Sequence, residues 1–179
     1  MALAIFAFVC ALVIGLSGNA ARVVEIVASK NGAGLPLIVP AFAGQAVIAG
    51  LMLLAGAALS PALGHEPIRV AVAALLAIVV FLVLRPYSLI APEEPTRSSI
   101  ATGIVVAAFA VRDGSAILAL AVGLLATHYT WPAAGLAMGA GMAMAIASNG
   151  GASRFGTNAR YLAAILMAAS ALYIGAFWK

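Results

Sequence analysis

The sequence predicts an all-α integral membrane protein of six transmembrane helices, arranged as two inverted three-helix repeats. Three features support this fold class: the composition, six apolar segments with short connections, and a polar break in the first segment of each half. The chain is 65% hydrophobic and only 8% charged, with a mean hydropathy of +1.18. Soluble domains have about 45–50% apolar and about 25% charged residues, so a soluble fold is excluded.

The composition also excludes several functions. The nine basic residues that give the net charge of +4 are scattered through the connections and form no patch, so nucleic acid is not an expected partner. The chain has no nucleophile–base pair, phosphate-binding glycine loop or zinc motif, so we do not expect an enzyme or a bound cofactor. Cys10 is the single cysteine and cannot form an intrachain disulfide. The lipid bilayer is the expected environment.

Each apolar segment is near the ~20 residues that cross the hydrocarbon, or longer and therefore tilted. The six predicted spans are residues 2–28, 35–59, 68–90, 100–126, 132–148 and 159–177. The fifth is rich in glycine and alanine on every face, which predicts a helix packed against several neighbours. Residues 149–158, NGGASRFGTN, are predicted to connect spans five and six.

A polar run divides the chain into two halves. Residues 91–99, APEEPTRSS, contain two prolines and several charged or hydroxyl side chains, which makes them unsuited to a membrane helix. We therefore predict a first three-helix repeat over residues 1–90, a polar linker over 91–99 and a second repeat over 100–179. Three spans per half is an odd number, so related halves would face opposite sides of the membrane.

The basic residues predict the orientation. Six of them fall on the side of the first, third and fifth connections and two on the other side, which places the first set in the cytoplasm and both termini outside. Arginine outnumbers lysine seven to two, and alanine and glycine are abundant. This composition is typical of a GC-rich bacterial genome, so the inner membrane is the expected location.

Two glycines with polar neighbours relate the halves. Moving the second half back by 96 positions aligns Gly18 with Gly114 and Pro36 with Pro132. The motif Ser17-Gly18-Asn19-Ala20 then lies on Asp113-Gly114-Ser115-Ala116. Inverted-repeat transporters have their substrate sites near the midplane, where paired helices are interrupted in this way. The alternative is that both glycines only permit close helix crossing.

Arg112 and Asp113 are the strongest candidate site residues, because they lie near the middle of the fourth span. A charge at that depth costs about 2.5–3.5 kcal/mol on insertion scales, so such residues are usually paired or functional. They are adjacent, hence about 100° apart around a helix, and one of them is expected to pair with another helix. The candidate partners are Gln45 on the second span, and Ser148 and Asn149 at the end of the fifth.

The arrangement resembles the Golgi-type calcium/manganese–proton exchanger family, whose members carry an E-x-G-D-K-T motif in the first helix of each inverted half. Phe109, Gly114 and the Trp131-Pro132 pair match the family's second-half pattern, and Gly18 matches the first. The motif glutamates fall on Leu16 and Arg112, and the motif aspartates on Asn19 and Ser115. The resemblance implies Mn²⁺ or Ca²⁺ as substrate, for which Asp113 is at most the one acidic ligand left.

We therefore expect a multi-pass transporter of the cation/proton exchanger type with a degenerate midplane site. Asp113 would carry the ion or proton and Arg112 would modulate it. The expected path is lined by Ser17, Gly18, Asn19, Gln45, Gly114 and Ser115. The first alternative is a non-transporting subunit or scaffold, with a second copy or another membrane protein as its partner. The second is an exporter of small organic ions, in which Arg112 would receive a carboxylate.

Overall fold

The described residues of the computed structural model, 1–85 and 98–177, form helices and short connections only. The helices are α1 Ala2–Ser17, α2 Asn19–Asn31, α3 Leu35–Leu59, α4 His65–Leu84, α5 Ser99–Arg112, α6 Ser115–Leu125, α7 Thr130–Ser148 and α8 Gly151–Phe177, with a short 3-10 helix at Ser60–Ala62. Four of them are long and apolar enough to cross a membrane, or up to six spans if each bent pair counts as one. The predicted all-α class is therefore confirmed for the described residues.

The first and fourth predicted spans are each broken in the middle. The axes of α1 and α2 differ by 58°, and those of α5 and α6 by 66°. The first break is at Gly18, whose backbone is extended with φ −83° and ψ 165°. The second is at Asp113 and Gly114, where Gly114 adopts the left-handed φ of +80° that most residues avoid. Gly114 thus directly follows the C-cap residue of α5 and is itself the N-cap residue of α6.

Packing links the two halves of the chain. The most extensive contact joins α1 to α7, and α3 contacts both α6 and α5. The third helices, α4 and α8, pack on each other. Each broken helix therefore lies against the long second helix of the other half. As predicted, α7 contacts several neighbours, among them α1, α3 and α2.

Glycines bring these helices into backbone contact. A Cβ on Gly44 of α3 would overlap the carbonyl oxygen of Gly103 on α5, and a Cβ on Gly123 of α6 would overlap the carbonyl oxygen of Leu53 on α3. On the other side, Gly135 and Gly139 of α7 meet the backbone of α1 in the same way. Helix pairs in membranes gain van der Waals contact through such small residues.

One predicted boundary is wrong. The connection over residues 149–158 is mostly helix, since α8 begins at Gly151. Ala152, Gly156 and Ala159 are buried at helical spacing in that segment, so its small residues form a packing face. Helix α4 ends at Leu84, and Arg85 is extended, as the residue before a proline favours. Residues 86–90 of the predicted third span and residues 91–97 of the predicted linker lie outside the described residues.

Substitution at one α3 glycine tests the close crossing against a matched control. We expect Gly44→Ala to lower the melting temperature in detergent, because its Cβ overlaps the backbone of α5 and overpacking costs about 1–3 kcal/mol. Gly50→Ala on the same helix meets no atom within 4 Å and should leave the melting temperature unchanged or raise it. Equal effects of the two substitutions would contradict the close crossing of α3 and α5.

Candidate functional site

The two breaks meet, and the carboxylate of Asp113 lies between them. One carboxylate oxygen accepts a hydrogen bond from the backbone N–H of Ala20 at 2.7 Å. The other accepts from the side-chain amide of Asn19 at 3.2 Å. Asp113 is 5% exposed. An acid from the second half is thus buried against the first turn of α2 in the first half.

The local sequence explains why Asp113 binds there. Gly18 is the N-cap residue of α2 and has no side chain with which to cap it. The free N–H groups at a helix start are positive and favour an anion, with about 0.3–1 kcal/mol for an exposed charge and up to ~2 kcal/mol when partly buried. Ala20 is at the position whose N–H an N-cap side chain usually binds. Asp113 therefore caps α2 from the other half of the chain.

Gly18 also provides the space for this contact. A Cβ at Gly18 would lie 2.7 Å from Oδ2 of Asp113 and 3.0 Å from its Cγ. The backbone angles of Gly18 are open to any residue, so its role here is steric rather than conformational. The position of the carboxylate therefore depends on the missing side chain of Gly18.

The two candidate serines lie at the breaks, and each forms a hydrogen bond to a backbone carbonyl group of its own broken span. The hydroxyl of Ser17 donates to the carbonyl oxygen of Ile14 at 2.9 Å, and that of Ser115 donates to the carbonyl oxygen of Ala110 at 2.9 Å. Both side chains are buried. They satisfy carbonyl groups that the interrupted helices leave open, which is a structural role at a helix end.

The hydrogen bonds of Asp113 go to none of the three candidate partners, Gln45, Ser148 and Asn149. The hydroxyl of Ser148 and the amide of Asn149 both donate to the carbonyl oxygen of Ala145 on their own helix. Gln45 is buried beside Gly15 of α1, and its Oε1 has no hydrogen-bond partner. The sequence showed that Asp113 needed a partner, but a backbone N–H has no side-chain signature. The signal that pointed to it was the glycine immediately before α2.

Arg112 and Asp113 point in different directions, as their adjacency predicts. Arg112, the last residue of α5, is exposed, whereas Asp113 is buried. A salt bridge joins Arg69 to Glu66 at 2.7 Å, at the start of α4.

The donor set at the breaks is small. Within residues 1–85 and 98–177, no three His, Cys, Asp or Glu side chains come close enough to hold a metal ion. Asp113 contributes two oxygens with one negative charge, and both already accept hydrogen bonds. Calcium takes 6–8 oxygen ligands, usually with several carboxylates among them. The site therefore has one charged ligand to offer a cation.

A double-mutant cycle tests the contact between Gly18 and Asp113. We expect Gly18→Ala to destabilise the protein by about 1–3 kcal/mol, because the new methyl group collides with the carboxylate. In an Asp113→Ala background the same substitution should cost less, since the colliding oxygens are gone. The measurement is unfolding in detergent for all four proteins. Additive effects would show that the two residues do not touch.

The chain matches no protein-family model, no curated protein and no solved structure. The function proposed below therefore rests on the geometry of the two breaks and on the sequence features that led to them.

Proposed function

We propose that the protein is a multi-pass membrane transporter of the cation/proton exchanger type, built from two inverted three-helix halves. The offset of 96 residues that aligns Gly18 with Gly114 also aligns the first residues of α2 and α6, Asn19 and Ser115. The two bends are similar, at 58° and 66°. Discontinuous helices with their N-termini at the site are typical of transporters with inverted repeats.

The packing of the helices supports the same symmetry. Exchanging the two halves converts the contacts of α1 and α2 with α7 into the contacts of α5 and α6 with α3, and all four contacts exist. The contact between α4 and α8 is converted into itself. Such an arrangement has two equivalent ways of tilting one half against the other, which is the basis of alternating access.

Asp113 is the proposed coupling group, and its position between the halves is the observation that carries the proposal. With its charge free, the carboxylate binds Ala20 and Asn19 and holds the second half against α2. A proton or a cation on the carboxylate would neutralise it and weaken both bonds. Occupancy of this one group would thereby shift the equilibrium between two orientations of the halves.

The proposed location is a bacterial inner membrane with both termini outside the cytoplasm. The basic residues Lys30 and Arg154 then lie on the cytoplasmic side, as the positive-inside rule requires. Glu66 and Arg69, at the start of α4, fall on the outer side.

A non-transporting membrane subunit is the second candidate, and one observation favours it. Both oxygens of Asp113 are satisfied inside the protein, so the residue could act only as a clamp between the halves. The two candidate functions predict different effects of removing the Asp113 charge. A clamp contributes stability alone, whereas a coupling group contributes ion movement as well.

Ion flux in reconstituted vesicles distinguishes the two. Liposomes containing the protein and a pH-sensitive dye are exposed to gradients of Na⁺, K⁺, Ca²⁺ or Mn²⁺. We expect the wild type to exchange one of them for protons, and Asp113→Asn to reduce the rate about ten-fold or more, which corresponds to about 1.4 kcal/mol.

Glu66→Gln is the matched control, because it removes an acid whose side chain is 69% exposed and far along the chain from both breaks. Its flux should equal that of the wild type. Undiminished flux in Asp113→Asn would refute the coupling role. A folded wild type that moves no ion and copurifies with another membrane protein would favour the subunit.

A further inference from the structure

Gln45 is a buried polar residue that takes no part in the coupling by Asp113 proposed above. It lies in the middle of α3 and is 3% exposed. Its Oε1 is fully buried and has no hydrogen-bond partner. Burial of an unpaired amide oxygen is unfavourable, and more so in a membrane, where no bulk water can satisfy it. An oxygen in this state calls for a ligand with a positive charge or a proton to donate.

Gln45 and Asp113 lie next to the same face of α1. The Nε2 atom of Gln45 is 3.8 Å from the Cβ position of Gly15, and the Oδ2 atom of Asp113 is 2.7 Å from the Cβ position of Gly18. Residues three apart on a helix have their Cβ positions about 5–6 Å from each other. The Gln45 amide and the Asp113 carboxylate therefore lie beside neighbouring positions of α1, Gly15 and Gly18, about one helical turn apart.

Small residues line the space around Gln45. A Cβ at Gly15 would lie 2.7 Å from the Cβ of Ala143 on α7. The amide thus lies near the point where α1, α3 and α7 meet.

We propose that the Gln45 Oε1 and the Asp113 carboxylate are two successive oxygen sites for one small monovalent cation of the Na⁺ or K⁺ class. The inference rests on the proposed transport function and names its substrate class. The cation would bind the charged carboxylate of Asp113 at the break between α5 and α6. It would also bind the neutral amide oxygen of Gln45, about one turn away along α1.

Charge decides between a monovalent and a divalent cation. Asp113 supplies one negative charge, and its hydrogen-bond partners, the Ala20 N–H and the Asn19 amide, are neutral. One monovalent cation makes the occupied site neutral, whereas Ca²⁺ or Mn²⁺ would leave a net positive charge in a low-dielectric interior.

Binding of radioactive Na⁺ to the purified protein in detergent, with K⁺, Ca²⁺ and Mn²⁺ as competitors, tests the inference. We expect one Na⁺ per chain in the wild type, with Na⁺ displaced by K⁺ rather than by divalent ions. Gln45→Leu should weaken binding about ten-fold or more, because a polar contact to a charge is lost. Gln45→Glu, which adds a second carboxylate, should shift the preference toward Ca²⁺ and Mn²⁺.

Ser170→Ala is the matched control, since its hydroxyl donates to the Leu166 carbonyl within α8, away from both breaks. It should bind Na⁺ as the wild type does. If Gln45→Leu does not fold, Gln45→Met takes its place. Unchanged Na⁺ binding in the folded Gln45 variant, or wild-type binding of divalent ions in preference to Na⁺, would overturn the inference but leave Asp113-dependent transport standing. If the wild type moves no ion in the vesicle assay, the proposed transport function itself would be refuted.

Discussion

One hydrogen-bonded contact organises the centre of this protein: the carboxylate of Asp113 on the first N–H groups of α2. The contact joins residues more than ninety positions apart and connects two broken helices at their breaks. The contact also compensates two unfavourable features, the buried charge of Asp113 and the uncapped start of α2. The buried charge gains charge-assisted hydrogen bonds, and the start of α2, which Gly18 cannot cap, gains an acceptor. Either feature alone would be unfavourable in an apolar interior.

The glycines make this contact possible in two ways, one at the contact itself and one at helix crossings elsewhere in the fold. Gly18 leaves room for the carboxylate, and the crossings at Gly44, Gly123 and Gly139 hold the helices close enough for the breaks to meet. Backbone contacts of this kind depend on shape rather than on long interlocking side chains. Two halves joined in this way, with one charged group at their boundary, suit a protein whose halves change orientation.

The fold class and most spans could be predicted from hydropathy, and the breaks from glycines with polar neighbours. Sequence failed where the signal was a backbone group or a packing face. Ala20 contributes an N–H that no side-chain pattern reveals, and the start of α8 was hidden because Gly156 and its neighbours resemble a loop in composition. Adjacency correctly separated Arg112 from Asp113, since neighbours on a helix face different directions. Which helix Gln45 faces could not be read from α3, which is apolar on most sides.

The most direct test of the central contact is cross-linking between the breaks in native membranes. In a Cys10→Ala background, Asn19 and Asp113 are both replaced by cysteine, and a protease site is placed in the polar linker. After treatment with a bifunctional thiol cross-linker and cleavage, the two halves should remain in one band, because the Asn19 Nδ2 and Asp113 Oδ1 atoms lie 3.2 Å apart. A control pair at Asn19 and Ile100, the latter at the far end of α5, should separate. Separation of the Asn19–Asp113 pair as readily as the control would show that the breaks do not meet and would contradict the account.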